Sequence, residues 1–410
     1  MGSVQNRYSR LTPSFATTPI VDLAPVMFLC LLGIFEPEFI RQVHPSLHNL
    51  FKLLQRLSYL IAVASLFRWR RVPGILVFAL GLMSTALLTQ LLTAYPSIDS
   101  VWGIISQYIK IGLSLSLLVY WVSNDAGKFF GIASFLLASL ALANLASEIL
   151  RPDGLYMTGW THVPCYVFGH KNMVVPAMIP GLICVAGYEG VSVGRLRALT
   201  GFYILLLILN ALFSRSSTAL AVVALVLLLA IVMRCFSGFS FGPVTVFTGE
   251  TVAMILLVFL KVQEQFANLI FKLFKKSVTF SSRTEIWDKW VALFEESPII
   301  GVGNLPQELL RSVTKGVNAH ETWLGILATG GLIRLSVYLA GAFALWRFMR
   351  PVKRDAIVRL GMVGLAAFAV VGLMEAMDMN TALLQSLAVL EGYIAYCRFA
   401  EHPSSSNRFM

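Results

Sequence analysis

Along the 410 residues, long apolar runs alternate with short polar breaks. A run of about 20 apolar residues reads as a helix that crosses a bilayer. Twelve are predicted, over residues 20–36, 49–67, 73–92, 101–122, 129–150, 172–188, 198–213, 217–233, 244–262, 321–346, 356–377 and 381–397. No internal repeat or low-complexity linker divides them, so residues 1–410 read as one all-α polytopic membrane domain. One connection is long. Residues 263–320 exceed a turn, and long connections in compact folds are functional or disordered. Within it Phe266, Leu269, Ile270 and Leu273 recur at helical spacing beside Lys272, Lys275 and Lys276, as in a helix lying in the membrane interface. Ser282-Arg283-Thr284-Glu285 then has the form of a capping box, and Ile286, Trp287, Trp290, Val291 and Phe294 make an apolar stripe. A second helix is predicted from about Arg283 to Glu296, stopping before Pro298.

Composition sharpens the class. The chain is 57% apolar and 13% charged, whereas a soluble domain carries about 25% charge. That excludes an ordinary soluble enzyme, a nucleic-acid module and a disordered chain. The net charge of +11 is read first as an orientation signal. With the N-terminus in the cytoplasm, the inner segments hold 16 Lys and Arg, among them Arg68, Arg195, Arg347 and Arg398. The short outer loops hold four: Arg41, Arg151, Lys171 and Arg215. Both termini are therefore expected in the cytoplasm, with residues 263–320 on the outer, periplasmic face. Trp69, Trp102, Trp121, Trp323 and Trp346 fall near run ends, where indoles anchor spans in the interface. The five cysteines are scattered, without a C-x-x-C pair, and predict neither a metal site nor a disulfide framework. The polar start MGSVQNRYSR precedes an apolar run without an A-x-A-like site and reads as uncleaved.

In this topology every even run begins at the outer face, and basic residues collect at those helix N-termini: His170 and Lys171, Arg215, Arg283 and His320. Helix N-termini favour anions, so arginines placed there do not serve helix stability. A phosphate gripped bidentately by the guanidinium fork explains Arg215 and Arg283; the plain alternative is snorkelling to lipid headgroups. His320 sits in Asn318-Ala319-His320-Glu321, where Asn318 is placed to cap the tenth run. The positive end of a helix disfavours imidazolium, leaving a ring able to take a proton from a sugar hydroxyl; a structural loop histidine is the alternative. Lys110 stands eight residues past Trp102, about 12 Å below the outer interface, a costly place that marks either function or an ion pair with Glu375, Asp378 or Glu250. Arg334, about 21 Å beyond His320, is expected deep and paired or facing a cavity. His44, His48 and His162 lack ligand spacing, and no metal is expected. There is no Walker loop, no G-x-G-x-x-G after a strand, no H-E-x-x-H and no outer D-x-D pair. No cofactor is predicted. An enzyme on this face would take a substrate already activated in the lipid, its diphosphate handled by arginines.

Three stretches carry a resemblance. Phe168-Gly169-His170-Lys171-Asn172, then Phe213-Ser214-Arg215-Ser216-Ser217-Thr218-Ala219-Leu220, then Arg283-Thr284-Glu285-Ile286-Trp287 through Ser297-Pro298-Ile299-Ile300-Gly301-Val302-Gly303 to His320-Glu321 and Gly331, together resemble the O-antigen ligase and polysaccharide polymerase superfamily. The resemblance implies a metal-independent, inverting glycosyltransferase of the bacterial inner membrane that moves a glycan en bloc from undecaprenyl diphosphate to an acceptor sugar. It implies His320 as the general base and Arg215 and Arg283 as diphosphate ligands, with His170, Lys171 and Lys110 as further candidates for substrate binding. Glu321 and Arg334 depart from the ligase pattern, and the G-H-K-N stretch leans toward a repeat-unit polymerase for O-antigen or exopolysaccharide over a ligase that charges lipid A-core. The partners implied are the lipid-linked glycan, the acceptor glycan or lipid A-core, membrane lipids and, for a polymerase, a chain-length regulator protein; nucleic acid is not among them. The rival from another class is a flippase for lipid-linked sugars, which would show paired halves with broken helices; the sequence shows no matching halves.

Overall fold

The computed structural model describes residues 22–67, 72–92, 98–157, 163–236, 238–262, 283–314, 319–376 and 380–401. In chain order the helices are α1 (Ala24–Ile34), α2 (Glu38–Val43), α3 (Pro45–Leu66), α4 (Gly74–Leu92), α5 (Ile98–Asn124), α6 (Ala126–Leu150), α7 (Val174–Val193), α8 (Ala198–Phe213), α9 (Ser217–Cys235), α10 (Pro243–Met254, continued by a π-turn Ile255–Phe259), α11 (Arg283–Glu296), α12 (Gln307–Thr314), α13 (Thr322–Met349), α14 (Ala356–Gly372) and α15 (Thr381–Glu401). The one departure from an all-helical fold among the described residues is a small antiparallel sheet between α6 and α7: β1 (Tyr156–Met157), β2 (Pro164–Tyr166) and β3 (Gly169–His170). Cys165 in its central strand pairs with Tyr156 on one side and His170 on the other.

Every predicted apolar run overlaps a helix, but the helix lengths do not give twelve crossings. Among the described residues six helices are long and apolar enough to span: Gly74–Leu92, Val101–Asn124, Ala126–Leu150, Lys171–Val193, Ser217–Cys235 and Thr322–Val352. Four more are apolar but shorter, Ala24–Ile34, Ala198–Phe213, Pro243–Phe259 and Ala356–Gly372. At 1.5 Å per residue, the 11 residues of α1 rise only about 16 Å against a hydrocarbon core of roughly 30 Å. For α1 the predicted run 20–36 takes in the turn after the helix and so overstates it.

α7 is the axis of the fold. Its span is 78% buried, twice the 39% of the α6 span beside it, and it packs on α6, α8, α14 and α15. Gly187 lets α6 approach closely, since a Cβ there would meet the Phe130 ring at 2.5 Å. Helix starts are closed by carboxylates and hydroxyls. Asp125, Ser216, Glu321 and Asp355 cap α6, α9, α13 and α14 from within the chain. Two acids cap their neighbours: Glu189 of α7 accepts the amides of Arg197, Leu199 and Thr200 at the start of α8, and Glu391 of α15 accepts those of Gly74 and Ile75 at the start of α4. Glu321 thus fills the capping place foreseen for Asn318, which lies outside the described residues.

A second apolar cluster joins α4, α5, α10, α11, α12 and α13 around Trp287, Trp290 and Trp323. The stripe predicted for α11 is therefore its packing face, while Phe266, Leu269, Ile270 and Leu273 lie outside the described residues. Two tryptophans read as interfacial anchors are core residues: Trp121 is 1% and Trp323 2% exposed, against 69% for Trp102. Trp69 lies outside the described residues. The stretch Pro298–Gly303 lies in a break of α13, where Gly331 takes φ 61° and ψ −166°. There Val302 and Gly303 donate to the carbonyls of Ala328 and Thr329, and Leu332 and Ile333 donate to those of Pro298 and Ile299. The broken helix thus regains its backbone partners from the loop. A Cβ at Gly331 would come within 2.3 Å of the Ile299 carbonyl, which explains why the motif ends on a glycine eleven residues after His320.

Candidate active site

The starts of α7, α9 and α13 and the end of α14 meet at one end of the bundle, and a chain of hydrogen bonds joins them. The Nδ1 of His320, just before α13, lies 3.3 Å from Oε2 of Glu375, just after α14. The other oxygen of Glu375 accepts from Asn172 Nδ2 at 2.8 Å, and Asn172 Oδ1 accepts from the Ser216 hydroxyl at 2.8 Å. Thr322 fixes the turn from below by donating its hydroxyl to the Glu375 carbonyl at 3.2 Å. Ser216 caps α9 and immediately follows Arg215. The three sequence stretches thus converge on a glutamate that none of them contains.

The carboxylate orients the His320 ring. A carboxylate accepts hydrogen bonds, so a neutral ring held against it carries its proton on Nδ1. The pairing has the form of a carboxylate-oriented histidine, an arrangement in which the carboxylate can stabilise an imidazolium. The His320 side chain is 32% exposed and that of Glu375 14%, so the ring is open at the surface while its partner is more shielded.

Both motif residues are also strained. Among the described residues three non-glycines have positive φ, and two of them are Arg215 (52°) and His320 (48°). Such a left-handed residue costs on the order of 1–3 kcal/mol, held only where the surroundings over-determine it. Arg215 is exposed at the tight turn between α8 and α9. It lies within electrostatic reach of Tyr166: burial pushes that phenol up, Glu148 adds to the rise, and the Arg215 guanidinium opposes it. An exposed cation at a helix start can meet an anion outside the bundle.

The remaining candidates divide. His170 is part of the assembly: its Nδ1 accepts the Asn172 amide at 3.2 Å, closing the short turn Lys171–Met173 that starts α7. Lys171 is half-exposed in that turn. The backbone of Arg283 begins α11, and its side chain lies outside the described ones. Lys110 is exposed on α5 and is not gathered into the relay; Glu375, one of its expected partners, serves His320 and Asn172 instead. Arg334 is buried and donates to the Thr329 hydroxyl at 2.9 Å beside the break in α13.

Sequence reasoning missed Glu375 as the partner of His320, along with Asn172 and Ser216 as links. Asn172 and Ser216 stood inside quoted stretches, and their side-chain chemistry was the available signal. Glu375 lies 55 residues from His320 in no motif. A second polar cluster also escaped notice. Asn144 of α6 donates to Glu148 (3.0 Å) and to Asn210 of α8 (2.9 Å), and its carbonyl oxygen accepts the Phe168 amide (2.9 Å). It thereby holds the first motif and the turn of the second against the same helix.

Residues 200–339 match the O-Antigen ligase family model. The match supports the superfamily read from the motifs. It covers about a third of the chain, from α8 through Arg215 and His320 into α13, with Asn172 before it and Glu375 after it. A search of the curated proteins finds no match. With the spanning helices, the family match indicates a bacterial inner-membrane enzyme that handles glycans, of the ligase or polymerase kind, with a lipid-linked glycan and a glycan or lipid A-core acceptor as the substrates the family implies.

Proposed function

We propose that the protein is a metal-independent, inverting glycosyltransferase that moves a glycan en bloc from undecaprenyl diphosphate to an acceptor sugar hydroxyl, as a repeat-unit polymerase for O-antigen or exopolysaccharide. The observation that carries this reading is the contact of His320 Nδ1 with Glu375, linked through Asn172 to Ser216 beside Arg215. Nε2 of His320 takes the proton of the acceptor hydroxyl as that oxygen attacks the anomeric carbon from the face opposite the diphosphate. The bond from carbon to the phosphate oxygen breaks, the configuration inverts, and undecaprenyl diphosphate leaves with its charge held by Arg215 and Arg283. His170 and Lys171 border the site beside Asn172.

In the full topology the twelve apolar segments all traverse or enter the membrane, both termini are cytoplasmic, and the site faces the periplasm. The bias of basic residues toward the inner segments supports this orientation. Residues 263–320 form the long periplasmic connection of a single domain, and a polymerase would work with a chain-length regulator. The flippase reading loses ground at the broken α13. A transporter would line a path with that break, whereas residues 298–303 fill it.

The test is transfer by the purified full-length protein given a lipid-linked repeat unit, with and without a lipopolysaccharide acceptor. A ladder of products is expected. A single new band that needs the acceptor would reassign the protein as a ligase, and no transfer in either arm would overturn the reading.

A further inference from the structure

Beside the relay, on the far side of His170, lies a cavity of about 470 Å³ to which no role has been assigned above. Its size falls within the roughly 300–1,000 Å³ of small-ligand pockets. Glu38 and Gln42 of α2 form one wall; Tyr156, Phe168, Gly169 and His170 form the other.

This wall is constructed, not left over. The Phe39 amide donates to the Val167 carbonyl at 3.2 Å and ties α2 to the β2–β3 turn. Gly169 takes φ 97°, and a Cβ there would lie 3.0 Å from Cγ of Glu38, so only glycine lets the acid lie flat against the strand. Glu38 is held by Arg41 (2.6 Å) and Gln42 (2.7 Å), both donating to Oε1, so that Oε2 receives neither. The ring of Phe39 packs on Tyr156, 6.2 Å between centroids. His170 has its Nδ1 occupied by the Asn172 amide, so a neutral ring carries its proton on Nε2.

We propose that this cavity is a subsite for one neutral sugar ring of the acceptor glycan, next to the ring whose hydroxyl is activated by His320. The chemistry selects that ligand. A carboxylate and an amide facing a phenol and an imidazole across one small cavity match vicinal hydroxyls, which both donate and accept. Phe168 offers an apolar face for the C–H side of a pyranose. The position is right as well: His170 is two residues, at most about 7 Å, from Asn172, which leads through Glu375 to His320.

This proposal rests on the transferase reading, and its test separates the two. The full-length protein in nanodiscs is assayed at saturating lipid-linked donor with the acceptor varied, as wild type, Gln42→Ala and Tyr156→Phe. In parallel, saturation-transfer NMR follows binding of the free oligosaccharide released by mild acid from the lipid-linked repeat unit. Each variant is expected to raise the acceptor KM about tenfold with a smaller change in kcat and an unchanged donor KM, and to lose most of the saturation transfer, while His320→Ala keeps it. Wild type that binds the oligosaccharide through these residues yet transfers nothing would overturn the transferase reading alone. Transfer with an unchanged acceptor KM in both variants, a rise in donor KM instead, or no binding of the oligosaccharide by wild type would overturn the subsite.

Discussion

Two polar networks, a few residues apart in the chain, use the same parts to different ends. In one, Glu375 joins Asn172, Ser216 and His320; in the other, Asn144 joins Glu148, Asn210 and the Phe168 amide. Both put a carboxylate and amide side chains between helices. They differ in where they end. Asn144, Asn210 and Glu148 are sealed, at 0%, 0% and 1% exposure, and the network ends on a backbone amide. The other ends on a histidine that is 32% exposed and strained. A sealed network can only hold shape, whereas one that opens on a titratable ring can exchange a proton. Polar groups in a membrane bundle are thus not evidence of chemistry by themselves; the outlet decides.

The strongest way to break this distinction is to remove the outlet. His320→Ala should lower turnover by about 10²–10⁴-fold, the range for a lost general base, while the melting temperature in detergent hardly moves. Near-normal turnover would make the first network as structural as the second. Glu375→Gln should cost a comparable part of that range, because the carboxylate and ring act as a unit, and the double variant should lose little more than His320→Ala alone. Full additivity in that cycle would separate Glu375 from the histidine.

Arg215→Lys comes next. It keeps the charge but loses the planar fork, and about 1.5–3 kcal/mol of charged hydrogen bonding, or roughly ten- to hundredfold in affinity for undecaprenyl diphosphate. Unchanged donor affinity would return Arg215 to lipid snorkelling. Asn144→Ala should show the reverse profile. It strands Asn210 and the Phe168 amide at about 1–3 kcal/mol each, so the melting temperature should fall, with any loss of turnover tracking the loss of folded protein. A large drop in kcat at full stability would show that the sealed network takes part in the reaction.

Much of the outlet was legible in the sequence and little of the wall behind it. Arg215 and His320 could be read because motif residues at helix starts stand out against apolar runs. The glycine at position 331 was visible too, but its reason, room for residues 298–303, appears only when the two segments meet. Glu375 could not be paired, since sequence gives no distance between helix ends 55 residues apart. Depth was a mixed guide. Lys110, placed deep as either functional or ion-paired, is exposed, whereas Arg334, expected deep and paired or facing a cavity, is buried and braces a helix break. Trp121 and Trp323 sat at run ends but turn inward, because run position fixes the height of a residue and not its face.

The smallest expected effect is that of chelation. The carboxylate in the open network is engaged at both oxygens, with Asn172 on Oε1 and His320 on Oε2. In the proposed mechanism the positive charge for a leaving diphosphate comes from Arg215, which is exposed at its turn. Glycan transfer is therefore expected to proceed at an unchanged rate in excess EDTA. The measurement also tests the comparison between networks, for if Glu375 served a divalent ion, its contact with His320 would be a resting arrangement and the exposed histidine would not be its true outlet. Loss of transfer in EDTA, restored by adding Mg²⁺ or Mn²⁺, would give that result, and Glu375→Gln would then weaken the metal dependence where His320→Ala would leave it intact.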